Sequence, residues 1–364
     1  MNLWRKVLTV FFLCITFPLQ VKAQEAPWVS AAAAILLEAS TGQVLYAKNA
    51  HQERPPASTT KIVTAILGLE LGRLDGYVKV SKYAASTPGA SIDLVPGVVL
   101  RLEDLLKGAL LSSGNDATVA IAEHLAGSEE TFAWLMNRKA VLLGAFRSRF
   151  VNPNGLPAEG HYVTAYDLAV ITRYALAHPL FSQMVKTRQA EIMASDGPRY
   201  LYNTNRLLGS YPGADGVKTG TTNAAGQCLV ASATRNGRQL IAVVLRSDDR
   251  YEDASNLLDY GFNSFYLEKV REGQRVGTVY VRNGQKQEIG AVASREVAWA
   301  VPKDKISQLE KRVILYPRVK APVQKGQVVG RIVLLYQGKE VSSADLVAEE
   351  GVPAERRLIP FWKW

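Results

Sequence analysis

Three short motifs stand in order along the 364-residue chain: Ser58-Thr59-Thr60-Lys61, Ser113-Gly114-Asn115 and Lys218-Thr219-Gly220. A serine hydroxyl is a weak nucleophile until a base takes its proton as the new bond forms. If a helix starts around Ser58, after the extended Pro55-Pro56, a lysine three residues on shares its face and reaches the hydroxyl. The start of such a helix also offers free N–H groups and a positive dipole end, which favour charge developing on a carbonyl oxygen. A lysine amine, protonated up to about pH 10.4 in water, serves as a base near neutrality only where burial or a second cation disfavours its charge. Lys218 is that second cation, and Lys61 and Lys218 are expected within one hydrogen-bonded cluster. Ser113 is suited to relaying a proton to a leaving amine, and Asn115 to holding a substrate amide carbonyl. Lys218 and Thr219 offer a cation and a hydroxyl to a substrate carboxylate, while Gly220 lets a chain approach closely, so that an extended peptide can pair with the strand edge. Together the motifs describe acyl transfer through a serine. Taken singly, Ser58 and Ser113 read as helix N-caps, Lys61 as a solvated helical lysine, Asn115 as a turn residue and Lys218-Thr219 as the exposed start of a strand. Order, spacing and context of the whole set favour the chemistry.

Other chemistries find less support. The chain has four histidines, His51, His124, His161 and His178, and no Gly-x-Ser-x-Gly elbow accompanies them. His and Cys do not cluster as metal ligands, and phosphate-binding glycine loops are absent, so neither a metal nor a cofactor is expected. Cys228 falls in the apolar run Cys228-Leu229-Val230-Ala231 with no histidine near it in sequence, and reads as a core residue.

The elements that must position the motifs follow from periodicity. Apolar runs at 31–38 and 44–47 flank a Gly42-containing turn, and runs at 226–234 and 239–245 are joined through Asn236-Gly237, a pair suited to tight hairpins. Between the two hairpins, three-to-four-residue apolar spacing predicts helices over 58–71, 102–111, 116–126, 129–143, 165–176 and 181–185. Strands at both ends with helices between them predict a mixed α/β unit whose ends meet in one antiparallel sheet, with Lys218-Thr219-Gly220 on an edge strand. From Gly273 onward short alternating segments recur between Asn283-Gly284, Lys325-Gly326 and Gln337-Gly338, which predicts a small all-β unit. The expected division is 24–268 for the chemistry, 269–346 for the β unit and 347–364 for a tail.

The first residues read as an export signal over 1–23. Arg5 and Lys6 precede an apolar run from Val7 to Leu19, and Val21-Lys22-Ala23 offers small residues where an export peptidase reads. The run is shorter than the ~20 residues that span a bilayer and contains Pro18. Cleavage after Ala23 would remove Cys14, leaving no internal disulfide, and would place the protein in a periplasm or on the outer face of the cytoplasmic membrane. It would also remove Arg5, Lys6 and Lys22, taking the formal charge from +10 to about +7. A basic surface favours anionic partners such as wall polymers or anionic lipid, although a merely solvated basic surface reads equally well. Nucleic acid is not expected, since the longest basic cluster is Arg147-Ser148-Arg149. The tail ends Arg356-Arg357-Leu358-Ile359-Pro360-Phe361-Trp362-Lys363-Trp364, a mixture suited to a membrane surface or to packing back on the β unit.

With the motifs in place, nearly the whole chain after the leader resembles the low-molecular-weight penicillin-binding proteins, the serine-type D-alanyl-D-alanine carboxypeptidases. Asn152-Pro153-Asn154-Gly155-Leu156, Thr164-Ala165-Tyr166-Asp167-Leu168 and Leu257-Leu258-Asp259-Tyr260-Gly261-Phe262 resemble further family segments. The resemblance implies a catalytic domain of the penicillin-binding protein and β-lactamase type followed by a β domain that spaces it from the membrane. It implies that Ser58 is acylated by the penultimate D-alanine of peptidoglycan stem peptides, with Lys61 as base and Ser113 and Asn115 assisting. Lys218 and Thr219 would bind the terminal carboxylate, beside Gly220, and the N–H groups of Ser58 and Thr221 would form the oxyanion hole. β-Lactam antibiotics are then expected as covalent inhibitors. Gly114 stands where β-lactamases carry Asp, and no glutamate between the second and third motifs, Glu159 and Glu191 among them, has the Glu-x-x-x-Asn context of a class A β-lactamase. The tail is shorter than the family's amphipathic anchor.

Overall fold

A strand buried on both faces must be apolar at nearly every position, and in Ala33–Glu38 all six residues are buried, five of them apolar. The computed structural model describes residues 25–355. The expected export signal at 1–23 and the end of the tail, 356–364, lie outside the described residues. Ala33–Glu38 sits inside a five-stranded antiparallel sheet in the order Val44–Lys48, Ala33–Glu38, Arg238–Ser247, Gly226–Arg235, Ala214–Thr222. The two ends of this region thus meet in one sheet, and the strand carrying Lys218 lies at its edge, as the sequence predicts. Side chains alternate between two cores. Ala33, Ile35 and Leu37 join Cys228, Val230 and Val243 on the face covered by the helical middle. Ala34 and Leu36 join Leu229, Ala231 and Val244 on the other face, beneath Ala254, Leu257 and Leu258 of the helix Arg250–Ser264. Cys228 is a buried free thiol, as expected.

The helix Lys61–Leu71 is buried from Lys61 to Leu69, which marks it as a central helix with no solvent face along most of its length. Leu102–Leu110, Asn115–Ala126 and Ala165–Leu176 pack in the same core. Two polar side chains fix helix starts: Thr164 Oγ1 accepts from the Asp167 N–H, and Asp249 Oδ1 accepts from the N–H groups of Tyr251 and Glu252. The second cap matters for the site because it sets Arg250. A four-stranded sheet of Tyr77–Lys79, Val99–Arg101, Gln189–Ala194 and Gly197–Tyr202 was not expected from the sequence. Its first two strands have three residues each and only one buried residue apiece, too short for an alternating pattern to register.

Beyond residue 264 the structure is all-β apart from one short 3-10 segment, Lys303–Gln308. Phe265–Val270 pairs with Val297–Pro302. Six further strands form a sheet in the order Leu309–Leu315, Val328–Tyr336, Lys339–Ala348, Glu288–Ala293, Arg275–Arg282, Arg318–Lys320, over a separate core that includes Val279, Ile289, Leu334 and Leu346. A mixed α/β region followed by a C-terminal β region is therefore the architecture. The two meet where the Gln43 side chain exchanges two hydrogen bonds with the Ala300 backbone, at 3.1 and 2.7 Å.

Candidate active site

Ser58 lies not in the α-helix but in the 3-10 turn Ala57–Thr60 that leads into it, and the α-helix begins at Lys61. The tighter turn keeps the three-residue separation useful: Lys61 Nζ is 2.9 Å from Ser58 Oγ. The same nitrogen is 2.7 Å from Asn115 Oδ1 and 2.8 Å from the Asn154 carbonyl oxygen. The side chain of Lys61 is fully buried.

These three partners define what Lys61 does at each protonation state. Asn115 Oδ1 and the Asn154 carbonyl can only accept, so each takes an N–H from the amine. A protonated Lys61 has a third N–H for Ser58. A neutral Lys61 has a lone pair there instead, directed at the serine O–H, which is the arrangement a general base requires. Burial holds the amine well below its ordinary pKa, and the charge of Lys218 pushes the same way against an opposing pull from Asp116. Lys218 is itself lowered to about 7, first by burial and then by Arg250. The expected hydrogen-bonded cluster of the two lysines is not seen. Lys218 Nζ donates to the Thr219 carbonyl at 3.2 Å, and its influence on Lys61 is through charge.

The second motif forms the turn between the helices Leu102–Leu110 and Asn115–Ala126. Ser113 is buried at φ 65°, a left-handed conformation that only a constrained turn holds for serine, and its side chain has no hydrogen bond among the described residues. Asn115 is pinned by both ends of its amide: Oδ1 takes Lys61, and Nδ2 donates to the Pro88 carbonyl at 2.6 Å. One Nδ2 hydrogen is left for a substrate carbonyl. Asp116, fully buried, accepts from Ser91 Oγ and the N–H groups of Ile92 and Leu94, and so fixes the loop that covers this side of the cleft.

The third motif meets the nucleophile through a missing side chain. A Cβ on Gly220 would lie 3.0 Å from both Ser58 N and Ala57 Cβ, so glycine is what lets this strand lie against the Ser58 turn. The close approach expected of Gly220 is thus made by the protein's own turn. Thr219 Oγ1 is 2.6 Å from Thr204 Oγ1. Thr221, exposed, accepts at Oγ1 from Arg250 Nη1 at 2.9 Å, and the same nitrogen donates to the Gly220 carbonyl at 2.8 Å.

Three contributors had no role in the sequence reading. Asn154 acts through its backbone, which no residue-type pattern reveals, although its segment, Asn152 to Leu156, resembles one of the family. Gly155, at φ 90°, packs so tightly on the Ala57 carbonyl that any Cβ would collide with it. Arg250 belongs to the far helix and carries no local signature. Beside Asn154 a cleft of about 250 Å³ opens, bounded by Pro88, Leu156, Tyr83 and Glu129. Among the described residues no group of His, Cys, Asp and Glu could hold a metal.

Residues 20–249 match the family described as D-alanyl-D-alanine carboxypeptidase, and residues 267–354 match the penicillin-binding protein 5 C-terminal domain. The chain is 36% identical over 331 residues to the D-alanyl-D-alanine carboxypeptidase DacF of Bacillus subtilis, covering 88% of this chain and 85% of that one. It is 36% identical over 345 residues to DacC of Escherichia coli, covering 90% and 86%. Penicillin binding protein 5 from Haemophilus influenzae superposes with a TM-score of 0.71 at 29% identity, covering 91% of this chain and 99% of that one. A point mutant of the Streptomyces K15 DD-transpeptidase superposes with a TM-score of 0.62 at 33% identity, covering 65% of this chain and 99% of that one.

Proposed function

Because the chain belongs to the D-alanyl-D-alanine carboxypeptidase family, we propose that Ser58, Lys61, Ser113, Asn115, Lys218, Thr219, Gly220 and Thr221 are the parts with which it performs that family's serine-type hydrolysis. The enzyme is a hydrolase that passes through a serine acyl-enzyme, and β-lactams acylate it. The reading of the site rests on one observation: the buried Lys61 amine spends two hydrogen bonds on obligate acceptors and turns its third position to Ser58 Oγ.

In this reading neutral Lys61 takes the Ser58 proton as Oγ attacks the carbonyl carbon of the penultimate D-alanine of a stem peptide. The N–H groups of Ser58 and Thr221 receive the oxyanion, with Gly220 letting the edge strand lie against the Ser58 turn. Lys218 and Thr219 hold the terminal carboxylate, and the free Nδ2 hydrogen of Asn115 holds an amide carbonyl further along the peptide. Ser113 relays the proton taken up by Lys61 to the departing D-alanine amine as the C–N bond breaks, which leaves Lys61 neutral again. Water then attacks the ester, Lys61 taking its proton and handing it to Ser58 Oγ as the ester C–O bond breaks, which releases the shortened peptide and restores the serine.

The remaining assignments belong to the same proposal. Residues 24–268 form the catalytic unit, 269–346 the β unit, and 347–364 a tail suited to a membrane surface. The protein works outside the cytoplasm, after loss of residues 1–23. Among the described residues no helix is long and apolar enough to cross a membrane.

Mass spectrometry of the processed chain after penicillin exposure tests the core of this reading. One adduct per chain is expected, on the peptide containing Ser58, and none in Ser58→Ala. An adduct that persists at full stoichiometry in Ser58→Ala would overturn it.

A further inference from the structure

We propose that a groove at the end of the central sheet remote from Ser58 is a second binding site, for a linear polymer of phosphate anions. The groove has a volume of about 880 Å³ and lies between the Asn236-Gly237 turn and the segment that enters the β region. Arg235, Arg238, Lys269, Arg271 and Lys303 line it, and no carboxylate does. Part of the excess positive charge of the chain, +10 overall, is thereby gathered at one place that the hydrolytic site does not use.

The cations divide by how far their charge is already met. Arg238 pairs with Glu38 at 2.6 Å and Lys269 with Glu296 at 2.7 Å, both partners lying outside the lining. Arg235 contacts Asp259 at 3.2 Å and is held over the rings of Tyr211 and Phe262 at 4.6 and 4.7 Å, which fixes its guanidinium in place. Arg271 and Lys303 are exposed and have no ion pair among the described residues. Arg238 Nη2 is buried without a hydrogen-bond partner, so the Glu38 pair leaves part of that guanidinium unmet.

Size and shape select the ligand. A cavity of this volume suits several linked groups rather than one small anion. A bilayer surface is broad and cannot enter a concave groove, whereas a chain can lie along it. Phosphate suits the donors, because arginine guanidinium and lysine ammonium both bind it with charge-assisted hydrogen bonds. In the strand Gly226–Arg235, Cys228 pairs with Gly220, which packs on the Ser58 turn, and seven steps at about 3.3 Å put the groove about 23 Å from there. A polymer held here would tether the enzyme without obstructing Ser58.

Fluorescence anisotropy of the full processed chain with labelled inorganic polyphosphate tests the proposal. Affinity is expected to fall steeply as salt rises from about 50 to about 200 mM, through release of counterions. The double variant Arg271→Glu, Lys303→Glu should bind about tenfold more weakly or worse at fixed salt. Lys79→Glu, a reversal at an exposed residue elsewhere, should stay within about twofold of wild type. Penicillin adduct formation should be unchanged in every variant, which separates loss of this site from loss of the fold. If the double variant melts early, the milder Lys303→Gln should still show a weaker salt dependence. No binding by wild type, or equal losses in the groove and control variants, would overturn the site. Loss of binding to anionic-lipid vesicles with polyphosphate binding intact would overturn the choice of ligand and make the groove a headgroup contact.

Discussion

Two lysine amines buried near one another make the site reactive and the fold less stable, and both effects can be measured. Lys61 works as a base only when neutral, so the rate of acylation by penicillin should rise with pH through its depressed pKa. The charge on Lys218 is one cause of that depression. Lys218→Gln should therefore move the rising limb to higher pH, the shift being confined to pH below about 7, where wild-type Lys218 is charged. An unmoved limb would remove Lys218 from the account of how Lys61 is activated. Stability follows the same amine. Folded Lys218 releases its proton at about 7, whereas the ordinary lysine value is 10.5, so unfolding takes up a proton throughout that window and wild-type stability rises with pH across it. Lys218→Met removes the burdened charge, and thermal melts at neutral pH should show it more stable by about 1–4 kcal/mol, with the gap closing toward pH 10. At this scale the residue types were legible: Ser58, Lys61, Asn115 and Lys218 were named from motifs alone. Their partners were not, because the Asn154 contact is a backbone carbonyl and Arg250 approaches from a helix 30 residues after Gly220.

The Ser58 turn is held from two sides by glycines on different elements, which is why a 3-10 turn can present a nucleophile in one position. Gly220 brings the edge strand against it, and Gly155 brings the loop that carries the Asn154 carbonyl. Gly155→Ala must accommodate φ 90° and a Cβ driven into the Ala57 carbonyl, so about 1–3 kcal/mol of stability should be lost. The more telling readout is chemical. Displacing Asn154 displaces an acceptor of Lys61, and an acylation rate at least about tenfold lower is expected at temperatures where the variant is fully folded. A destabilised variant with an unchanged rate would show that the loop supports the fold without positioning the base. Lys82–Ala85, Leu207–Ser210 and the long Arg250–Ser264 were not read as helices, whereas six helices and the two hairpins of this region were legible because each buries a periodic face or turns on a glycine. The four-stranded sheet was not, since Tyr77–Lys79 and Val99–Arg101 are defined by their pairing with each other rather than by any run of their own.

For the whole molecule, the separation of cores argues that the chemistry needs only the first part of the chain. The two cores on either face of the central sheet draw buried residues from Val29 to Leu258, and the third draws from Val270 to Val352. The all-β character of the later part was legible because, from Gly273 onward, alternating segments with Gly turns replace helical spacing. What composition could not show is how the halves are joined: Phe265–Val270 continues directly from the helix Arg250–Ser264, and Arg238 Nη1 donates to the carbonyls of Gly261 and Phe265. Those bonds anchor the end of the helix that supplies Arg250 to Thr221, so they belong to the catalytic side of the junction. A chain ending at residue 268 retains them and loses the pairing with Val297–Pro302 and the Gln43 contacts with Ala300. It should melt at a lower temperature yet react with penicillin within about threefold of the full chain's rate, as expected where few contacts cross a boundary. The Streptomyces structure is matched over 99% of its own length by 65% of this chain. Loss of acylation in a truncated chain that still unfolds cooperatively would mean that the β region holds Arg250, and through it the edge strand, in register with Ser58.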